Sequence, residues 1–275
     1  MTPRTDLANS TTMVVGASRG LGRGIATELA KAGTAVIAVA RSETALNDLA
    51  RAVSGMLPEV ADAADPTVAG SLMDRYDPRA VILVAGASPL HRPLQHQTWE
   101  TFSVNWQTDV KITFRWIREA LLKPLRPGSR VVVISSGAAL GPGSPLSGGY
   151  AGAKATQRFI ATYAQEEASR AGRELTFTTL YPRGPTPLTG LGRPAVEAHA
   201  ARGGQTVEEY LKGFGAPLTP EIAGAAVVEL VHTDPSSVAP GYVLTSARLK
   251  PLEPPAGPPA DRVRTDRPVA TPAGV

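Results

Sequence analysis

Short apolar runs alternate with longer amphipathic segments along most of the chain. The apolar runs predict strands at residues 11–15, 35–40, 59–61, 80–85, 130–135, 175–181 and 241–245. The amphipathic segments predict helices at residues 20–32, 43–54, 66–76, 98–122, 149–170 and 221–232. Because the strands are almost wholly apolar, both faces of the sheet must be covered. The pattern therefore predicts one α/β domain, a doubly wound parallel sheet of about seven strands with helices on both faces.

The domain is expected to span residues 1–250, and two segments stand apart from the alternating pattern. Residues 183–215 are rich in Gly and Pro at the start and helical later, which predicts a lid over a site at the carboxyl edge of the sheet. Residues 251–275 are rich in Pro and have no apolar periodicity, which predicts a disordered tail. A proline-rich ligand for a protein partner is the alternative interpretation of that tail.

Composition narrows the function classes. The chain of 275 residues is 43% hydrophobic, enough for a substantial core, and it has no cysteine, which excludes disulfides and thiolate chemistry. The four histidines show no metal-ligand spacing, so no metal site is expected. No apolar run could span a bilayer and the first residues lack a signal-peptide core, so a cytoplasmic protein without a membrane partner is expected. The net charge is +4, and the Lys and Arg residues are scattered along the chain, which argues against a dedicated nucleic-acid function.

A glycine-rich segment, GASRGLG, connects the first predicted strand to the first predicted helix. Glycine allows a tight turn and lets a pyrophosphate approach the backbone, while the helix N-terminus offers free N–H groups. The segment therefore predicts a nucleotide-binding loop. Its candidate residues are Gly16, Ser18, Arg19, Gly20, Leu21 and Gly22.

Two arginines indicate which nucleotide is bound. Arg19 lies within the glycine loop and Arg41 directly follows the second strand, where an acidic residue would bind an adenosine ribose 2′-hydroxyl. Guanidinium groups instead suit a 2′-phosphate. The sequence therefore predicts NADP(H) in preference to NAD(H). Two exposed loop arginines without a ligand are the alternative.

A second constellation lies in the C-terminal half. Tyr150 and Lys154 are one helical turn apart, fourteen residues after Ser136. A lysine on the same helix face stabilises a tyrosinate, and a serine can hydrogen-bond an oxygen that changes hybridisation. These three residue types predict a proton-transfer site for carbonyl chemistry. An exposed helical turn is the alternative for the Tyr–Lys pair alone.

With these motifs in order, residues 10–247 resemble the short-chain dehydrogenase/reductase family, which has a Rossmann-type fold. On the cofactor side, Asp62 is similar to the family's adenine-contacting Asp. Ala85 and Gly86 match the end of its Asn-Ala-Gly motif, and Pro182 matches the Pro after the sixth strand. On the catalytic side, the resemblance implies roles for Asn105, Ser136, Tyr150 and Lys154.

The chain also departs from the family pattern. Val84 stands where an Asn is common, so a hydrogen bond that stabilises the sheet must be replaced or absent. Arg183 stands where a Gly is usual, and Thr186 is the candidate nicotinamide clamp. The connection from Ser136 to Tyr150 is one residue longer than usual.

The resemblance implies hydride transfer between a nicotinamide and a carbonyl carbon. Tyr150 would be the proton donor, Ser136 would bind the substrate oxygen, and Asn105 would hold a water that connects Lys154 to solvent. The implied substrate is a small ketone, aldehyde or secondary alcohol. The implied assembly is a homodimer or homotetramer formed through the helices at residues 98–122 and 149–170.

Three alternatives remain open at this point. The chain could be a non-catalytic NADP(H)-binding regulatory protein, an interaction module that acts through its tail, or an enzyme for epimerisation or dehydration on the same scaffold. The last is disfavoured because such relatives usually carry a larger C-terminal substrate domain.

Overall fold

A single twisted sheet forms the centre of the molecule. The computed structural model describes residues 10–123, 125–141 and 145–252, and within them the sheet has eight strands in the order β3-β2-β1-β4-β5-β6-β7-β8. Strands β1 to β7 are parallel, and β8 joins β7 in the antiparallel sense. The strands are β1 (Thr11–Val15), β2 (Ala35–Ala40), β3 (Met56–Val60), β4 (Ala80–Leu83), β5 (Ser129–Ile134), β6 (Leu175–Pro182), β7 (Gly241–Leu244) and β8 (Leu249–Pro251).

Helices cover both faces of this sheet. One face packs against α1, α2 and α9 around Ile25 and Val227, and the other packs against α3, α5 and α6 around Trp116 and Phe177. The helices are α1 (Gly20–Lys31), α2 (Glu43–Ala52), α3 (Val68–Tyr76), α4 (Trp99–Asn105), α5 (Lys111–Leu122), α6 (Tyr150–Arg170), α7 (Gly192–Arg202), α8 (Val207–Lys212) and α9 (Pro220–His232). The predicted doubly wound α/β fold is confirmed.

The strands differ most from their predictions at β3 and β8, while β4 to β7 shift by one or two residues at their ends. Strand β3 covers Met56–Val60 rather than residues 59–61, and it includes Pro58. Because β3 lies at the edge of the sheet, a residue without a backbone N–H is tolerated there. Strand β8 was not predicted, and it extends the sheet beyond the expected seven strands. The remainder of the predicted tail, residues 253–275, lies outside the described residues.

The predicted long helix at residues 98–122 has an irregular middle. A π-helical turn at Trp106–Val110 separates α4 from α5. Such wide turns are rare in helices, and those that occur are often located at functional sites. The stop predicted at residues 124–128 agrees with the end of α5 at Leu122, although residue 124 itself is not described.

Residues 183–215, the predicted lid, carry the two short helices α7 and α8. Thr206 and Glu209 form a capping box that starts α8. The backbone N–H of Leu218 donates to the Pro185 carbonyl at 3.2 Å, which closes the segment at its base. No helix in the described parts of the chain is long and apolar enough to cross a membrane.

Candidate active site

A cavity of about 570 Å³ opens at the carboxyl ends of the parallel strands, where doubly wound sheets bind their ligands. It is lined by the loops that follow β1 to β4 and β6, by the end of β5, and by the first turns of α6. The fold thus brings most of the predicted site residues to one place. Those that line the cavity are Gly16, Ser18, Arg19, Gly20, Leu21, Gly22, Arg41, Asp62, Ala85, Gly86, Tyr150, Lys154 and Thr186.

The glycine loop is shaped by close backbone contacts. Gly16 has a φ of +100° and its N–H donates to the Val39 carbonyl at 2.8 Å. A Cβ at Gly22 would lie 2.0 Å from the Gly16 carbonyl oxygen, so α1 packs directly against the turn. Helix α1 starts at Gly20 without a side-chain cap, which leaves its first N–H groups free for an anion. This cradle fits a pyrophosphate.

The charged residues predicted for the adenosine end lie on the same side of the cavity. Arg19 and Arg41 are exposed, and neither forms an ion pair with any residue that the structure describes. Asp62 is also exposed, and its Oδ1 accepts a hydrogen bond from the Ala64 N–H at 2.9 Å. That bond orders the turn after β3. The two unpaired guanidinium groups make this end of the cavity attractive to a phosphate.

Tyr150 and Lys154 lie at the opposite end, at the start of α6. The loop before Tyr150 is anchored to α4, because the Gly149 N–H donates to the Phe102 carbonyl at 3.1 Å. A Cβ at Gly149 would lie 2.4 Å from that carbonyl oxygen, so only glycine fits without a shift. The Lys154 Nζ lies 5.6 Å from the centroid of the Tyr150 ring and donates to the Ile134 carbonyl at 3.4 Å. The predicted pair therefore shares one cavity wall.

Asp109 is a site residue that sequence reasoning missed. Its Oδ2 lies 3.0 Å from the Lys154 Nζ, with only 1% of the Asp109 side chain and 6% of the Lys154 side chain exposed. Burial lowers the pKa of the Lys154 ammonium, whereas the Asp109 carboxylate and then Tyr150 raise it. The balance leaves the pKa of Lys154 above its ordinary value, so the side chain is charged at neutral pH.

Asn105 is fully buried, and its side chain forms a hydrogen bond with the backbone after β4. Its Nδ2 donates to the Ala87 carbonyl at 2.7 Å and to Asp109 Oδ1 at 3.2 Å, and the Ala87 N–H donates to the same Oδ1 at 2.8 Å. Val84 cannot make the side-chain hydrogen bond expected of an Asn at its position, and the two bonds to Ala87 fix the backbone that follows it. The predicted role of Asn105 in holding a water stays a prediction.

The two serines after β5 have different environments. Ser135 lines the cavity, and its hydroxyl donates to the Lys154 carbonyl at 2.9 Å. Ser136 is half-buried and does not line the described cavity; its Oγ accepts from the Ala138 N–H at 3.2 Å. Its hydroxyl proton is therefore still available to a substrate oxygen. Part of the long connection to Tyr150, residues 142–144, is not described.

The segment after β6 closes the cavity over the glycine loop. Pro182 is the half-buried last residue of β6 and lies outside the cavity lining, whereas Thr186 lines it. The Thr189 hydroxyl donates to the Thr186 carbonyl at 3.0 Å, and its oxygen accepts from the Gly192 N–H at 2.9 Å. A Cβ at Gly20 would lie 3.6 Å from the Thr189 Cβ. The base of the predicted lid thus packs on the start of α1.

Comparisons with known proteins agree with this geometry. The family model described as short chain dehydrogenase matches residues 10–186. A hydroxynaphthalene reductase-like protein Arp2 of Metarhizium majus is 28% identical over 255 residues, covering 85% of this chain and 91% of that protein. The short chain dehydrogenase/reductase dpmpG of Macrophomina phaseolina is 31% identical over 154 residues, covering 51% of this chain and 87% of that protein.

A solved structure supports the fold. The Pseudomonas aeruginosa RhlG/NADP active-site complex superposes with a TM-score of 0.70 at 24% identity, covering 89% of this chain and 97% of that one.

Proposed function

The chain belongs to the short-chain dehydrogenase family of oxidoreductases, and on that premise we propose that it is an NADP(H)-dependent carbonyl reductase with Tyr150 as proton donor. It reduces a ketone or aldehyde, or oxidises a secondary alcohol in reverse. One observation carries the proposal: Tyr150 and Lys154 line the same cavity as the glycine loop that begins α1.

The residues of the cavity fit a dinucleotide. Gly16 and Gly22 leave no room for side chains, which keeps the loop packed against the start of α1, and that uncapped start offers N–H donors to a pyrophosphate. Asp62 and Thr186 both line the cavity, and they are the proposed contacts for the adenine and for the nicotinamide end. When bound, the nicotinamide supplies the hydride.

The preference for NADP(H) over NAD(H) rests on Arg19 and Arg41. Both guanidinium groups line the cavity and have no carboxylate partner among the described residues, so a 2′-phosphate would be their counter-ion. The RhlG structure, which is named as a complex with NADP, has the same fold. The support is therefore a charge argument together with a likeness of fold.

The chain's own residues perform the proton transfer. As the carbonyl oxygen gains negative charge, the Tyr150 hydroxyl gives it a proton, and the charged Lys154 stabilises the tyrosinate that remains. Ser136 donates a hydrogen bond to the same oxygen, since its Oγ accepts from Ala138 and keeps its own proton free. In the oxidative direction, Tyr150 takes the proton from the alcohol.

The substrate is proposed to be a ketone or alcohol with apolar parts. Leu191 lines the cavity, and Leu188 in the same segment is 71% exposed, so the entrance has an apolar side. The loop after β4 and the connection from β5 to α6 are tied together, because the Arg92 N–H donates to the Leu146 carbonyl at 2.9 Å. The two relatives described above carry reductase names, in agreement with this class.

A homodimer or homotetramer is part of the proposal. Phe114 on α5 and Phe159 and Tyr163 on α6 are more than half exposed, and the last two rings are 6.0 Å apart. Exposed aromatic groups of this kind are enriched at protein interfaces. The cytoplasmic location expected from the sequence remains a prediction.

Turnover of NADPH and NADH by the purified full chain, measured against a panel of ketones and aldehydes, tests the proposal. We expect NADPH to be oxidised with at least one apolar ketone, at a higher kcat/KM than NADH. Tight NADPH binding without turnover of any carbonyl would instead support the non-catalytic regulatory protein. Equal use of both cofactors would contradict the role of the two arginines.

A further inference from the structure

The π-helical turn at Trp106–Val110 places Asp109 against α6 through its backbone as well as its side chain. The Gln157 Nε2 donates to the Asp109 carbonyl at 3.3 Å and to the Thr113 Oγ1 at 2.6 Å. Gln157 lies three residues after Lys154, on the same helix. The Asp109 carbonyl, near the end of the wide turn, thus accepts a hydrogen bond from a side chain of α6. The turn is thus fixed by the helix that carries the Tyr–Lys pair.

The two carboxylate oxygens of Asp109 have separate tasks. Oδ1 accepts from Asn105 and from the Ala87 N–H, so it ties the loop after β4 to the π turn. Oδ2 faces Lys154 at 3.0 Å and accepts no other hydrogen bond within the described structure. Asp109 therefore connects β4, the π turn and α6 at one point of the cavity wall.

Removal of one member of such a pair leaves a buried charge without compensation. Lys154 is 4% exposed, and Asp109 is the carboxylate within its reach in the described part of the chain. Burial of an ammonium without a counter-ion is strongly unfavourable, so the side chain would lose its proton or move. Either outcome would change the charge or the position of the Lys154 side chain beside Tyr150.

We propose that Asp109 is a positioning residue for catalysis, whose carboxylate holds the Lys154 ammonium charged and in place beside Tyr150. The inference rests on the proposed function, because positioning has meaning only if the Tyr150–Lys154 pair is catalytic. It assigns to Asp109 a direct ion pair with the lysine, whereas the family resemblance implied only a water held by Asn105.

The pH dependence of Lys154 gives this proposal a signature. The titratable groups that act on Lys154 are Asp109 on the π turn and Tyr150 on its own helix. Burial lowers the pKa of Lys154, and the Asp109 charge is the larger of the two opposing influences. In Asp109→Asn the burial is no longer opposed by that charge, so Lys154 loses its proton at a lower pH.

The direct experiment is a carbon NMR titration of lysine labelled at Cε, in the full chain and in Asp109→Asn. The chain has only six lysines, and Lys154→Arg assigns the signal. Asp48→Asn is the matched control, since Asp48 pairs with Arg51 on the exposed surface of α2. We expect the Lys154 signal to titrate at a lower pH in Asp109→Asn and to be unchanged in Asp48→Asn.

Kinetics and cofactor binding complete the test. We expect kcat of Asp109→Asn to fall about a hundredfold, as for a displaced catalytic group, with the alkaline limb of its pH profile moved to lower pH. NADPH affinity, measured by fluorescence without substrate, should change much less than kcat. Unchanged kcat and an unchanged Lys154 titration would overturn the proposal. A wild-type chain without reductase activity would overturn the proposed function instead, and the NMR titration would still decide on the ion pair.

A variant without both charges covers the case in which Asp109→Asn does not fold. The double variant Asp109→Asn, Lys154→Gln has no buried charge left to compensate. If Asp109→Asn fails to fold because Lys154 has lost its counter-ion, the double variant should fold. If the double variant also fails to fold, Asp109 acts on the backbone after β4 rather than on Lys154, and the proposal is wrong.

Discussion

Gly16 lies so close to Ala85 that a Cβ at position 16 would be 2.6 Å from the Ala85 backbone nitrogen. The glycine loop after β1 is thus packed directly on the backbone after β4. We expect Gly16→Ala to destabilise the protein by about 1–3 kcal/mol and to weaken NADPH binding, because the clash and the positive φ act together. Urea unfolding with and without NADPH measures both effects.

Gly33→Ala is the control for this prediction. Gly33 also has a positive φ, +87°, but a Cβ at position 33 would meet no atom of the described residues within 4 Å. It therefore reports the backbone strain alone. If Gly33→Ala costs as much as Gly16→Ala and NADPH binding is unchanged in both, contact with Ala85 does not shape the cofactor loop.

Arg41→Ala tests the cofactor preference. Loss of a hydrogen bond between charged groups costs about 1.5–3 kcal/mol, which is roughly ten- to a hundredfold in affinity. We expect KM for NADPH to rise by that factor and KM for NADH to stay nearly constant. Arg51→Ala, on the exposed face of α2, is the matched control and should change neither value. An equal rise in KM for NADPH and for NADH would mean that Arg41 does not contact a 2′-phosphate.

The fold was predictable where the apolar pattern is strong. Strands β1 and β2 match their predicted bounds because their apolar runs are uninterrupted. Strand β3 was misplaced because Pro58 argues locally against a strand, and only its edge position permits it. Strand β8 was missed because it has three residues and gains its order by pairing with β7, a tertiary contact that local sequence does not encode.

The candidate site was predictable where a motif fixes both residue types and spacing. The glycine loop and the Tyr150–Lys154 pair meet in one cavity, as the motif order implies. Asp109 was missed because a single acidic residue on a long helix is usually a solvated one. Its inward position depends on a π turn and on Gln157, and no spacing rule predicts that register.

The exposed aromatic surface of α5 and α6 makes a prediction about assembly. Phe159 is 66% exposed, and we expect Phe159→Lys to convert the oligomer into smaller species without loss of folding, since a charge there would be buried by a partner. Light scattering after size-exclusion chromatography measures the mass. Leu57→Lys, on the edge strand β3, is the control. A monomeric wild-type chain would contradict this prediction.

His91, in the loop after β4, and His199, on α7 of the predicted lid, both have lowered pKa values. Burial lowers the pKa of His91, and His199 lowers it further. Burial also lowers the pKa of His199, with a smaller effect in the same direction from Arg202. Because each pKa lies below its ordinary value of 6.5, the unfolded chain binds more protons than the folded chain in acid. The folded state is therefore destabilised as the pH falls through and below that value.

We therefore expect the free energy of unfolding to fall less between about pH 7.5 and about pH 5.5 in His91→Gln and His199→Gln than in the wild type. His96→Gln, in the exposed part of the loop after β4, should behave as the wild type. Urea titrations at the two pH values give the comparison. Identical pH dependence in all four proteins would show that the two histidines titrate normally.

The central claim is that Tyr150 gives the proton to the substrate oxygen, and Tyr150→Phe tests it because the change removes the hydroxyl and little else. The measurement is the steady-state rate of NADPH-dependent carbonyl reduction, with NADPH binding followed in parallel by fluorescence. We expect the variant to bind NADPH and to lose at least about a hundredfold in kcat, the contribution typical of a proton-transfer group. Carbonyl reduction at near the wild-type rate would contradict the mechanism.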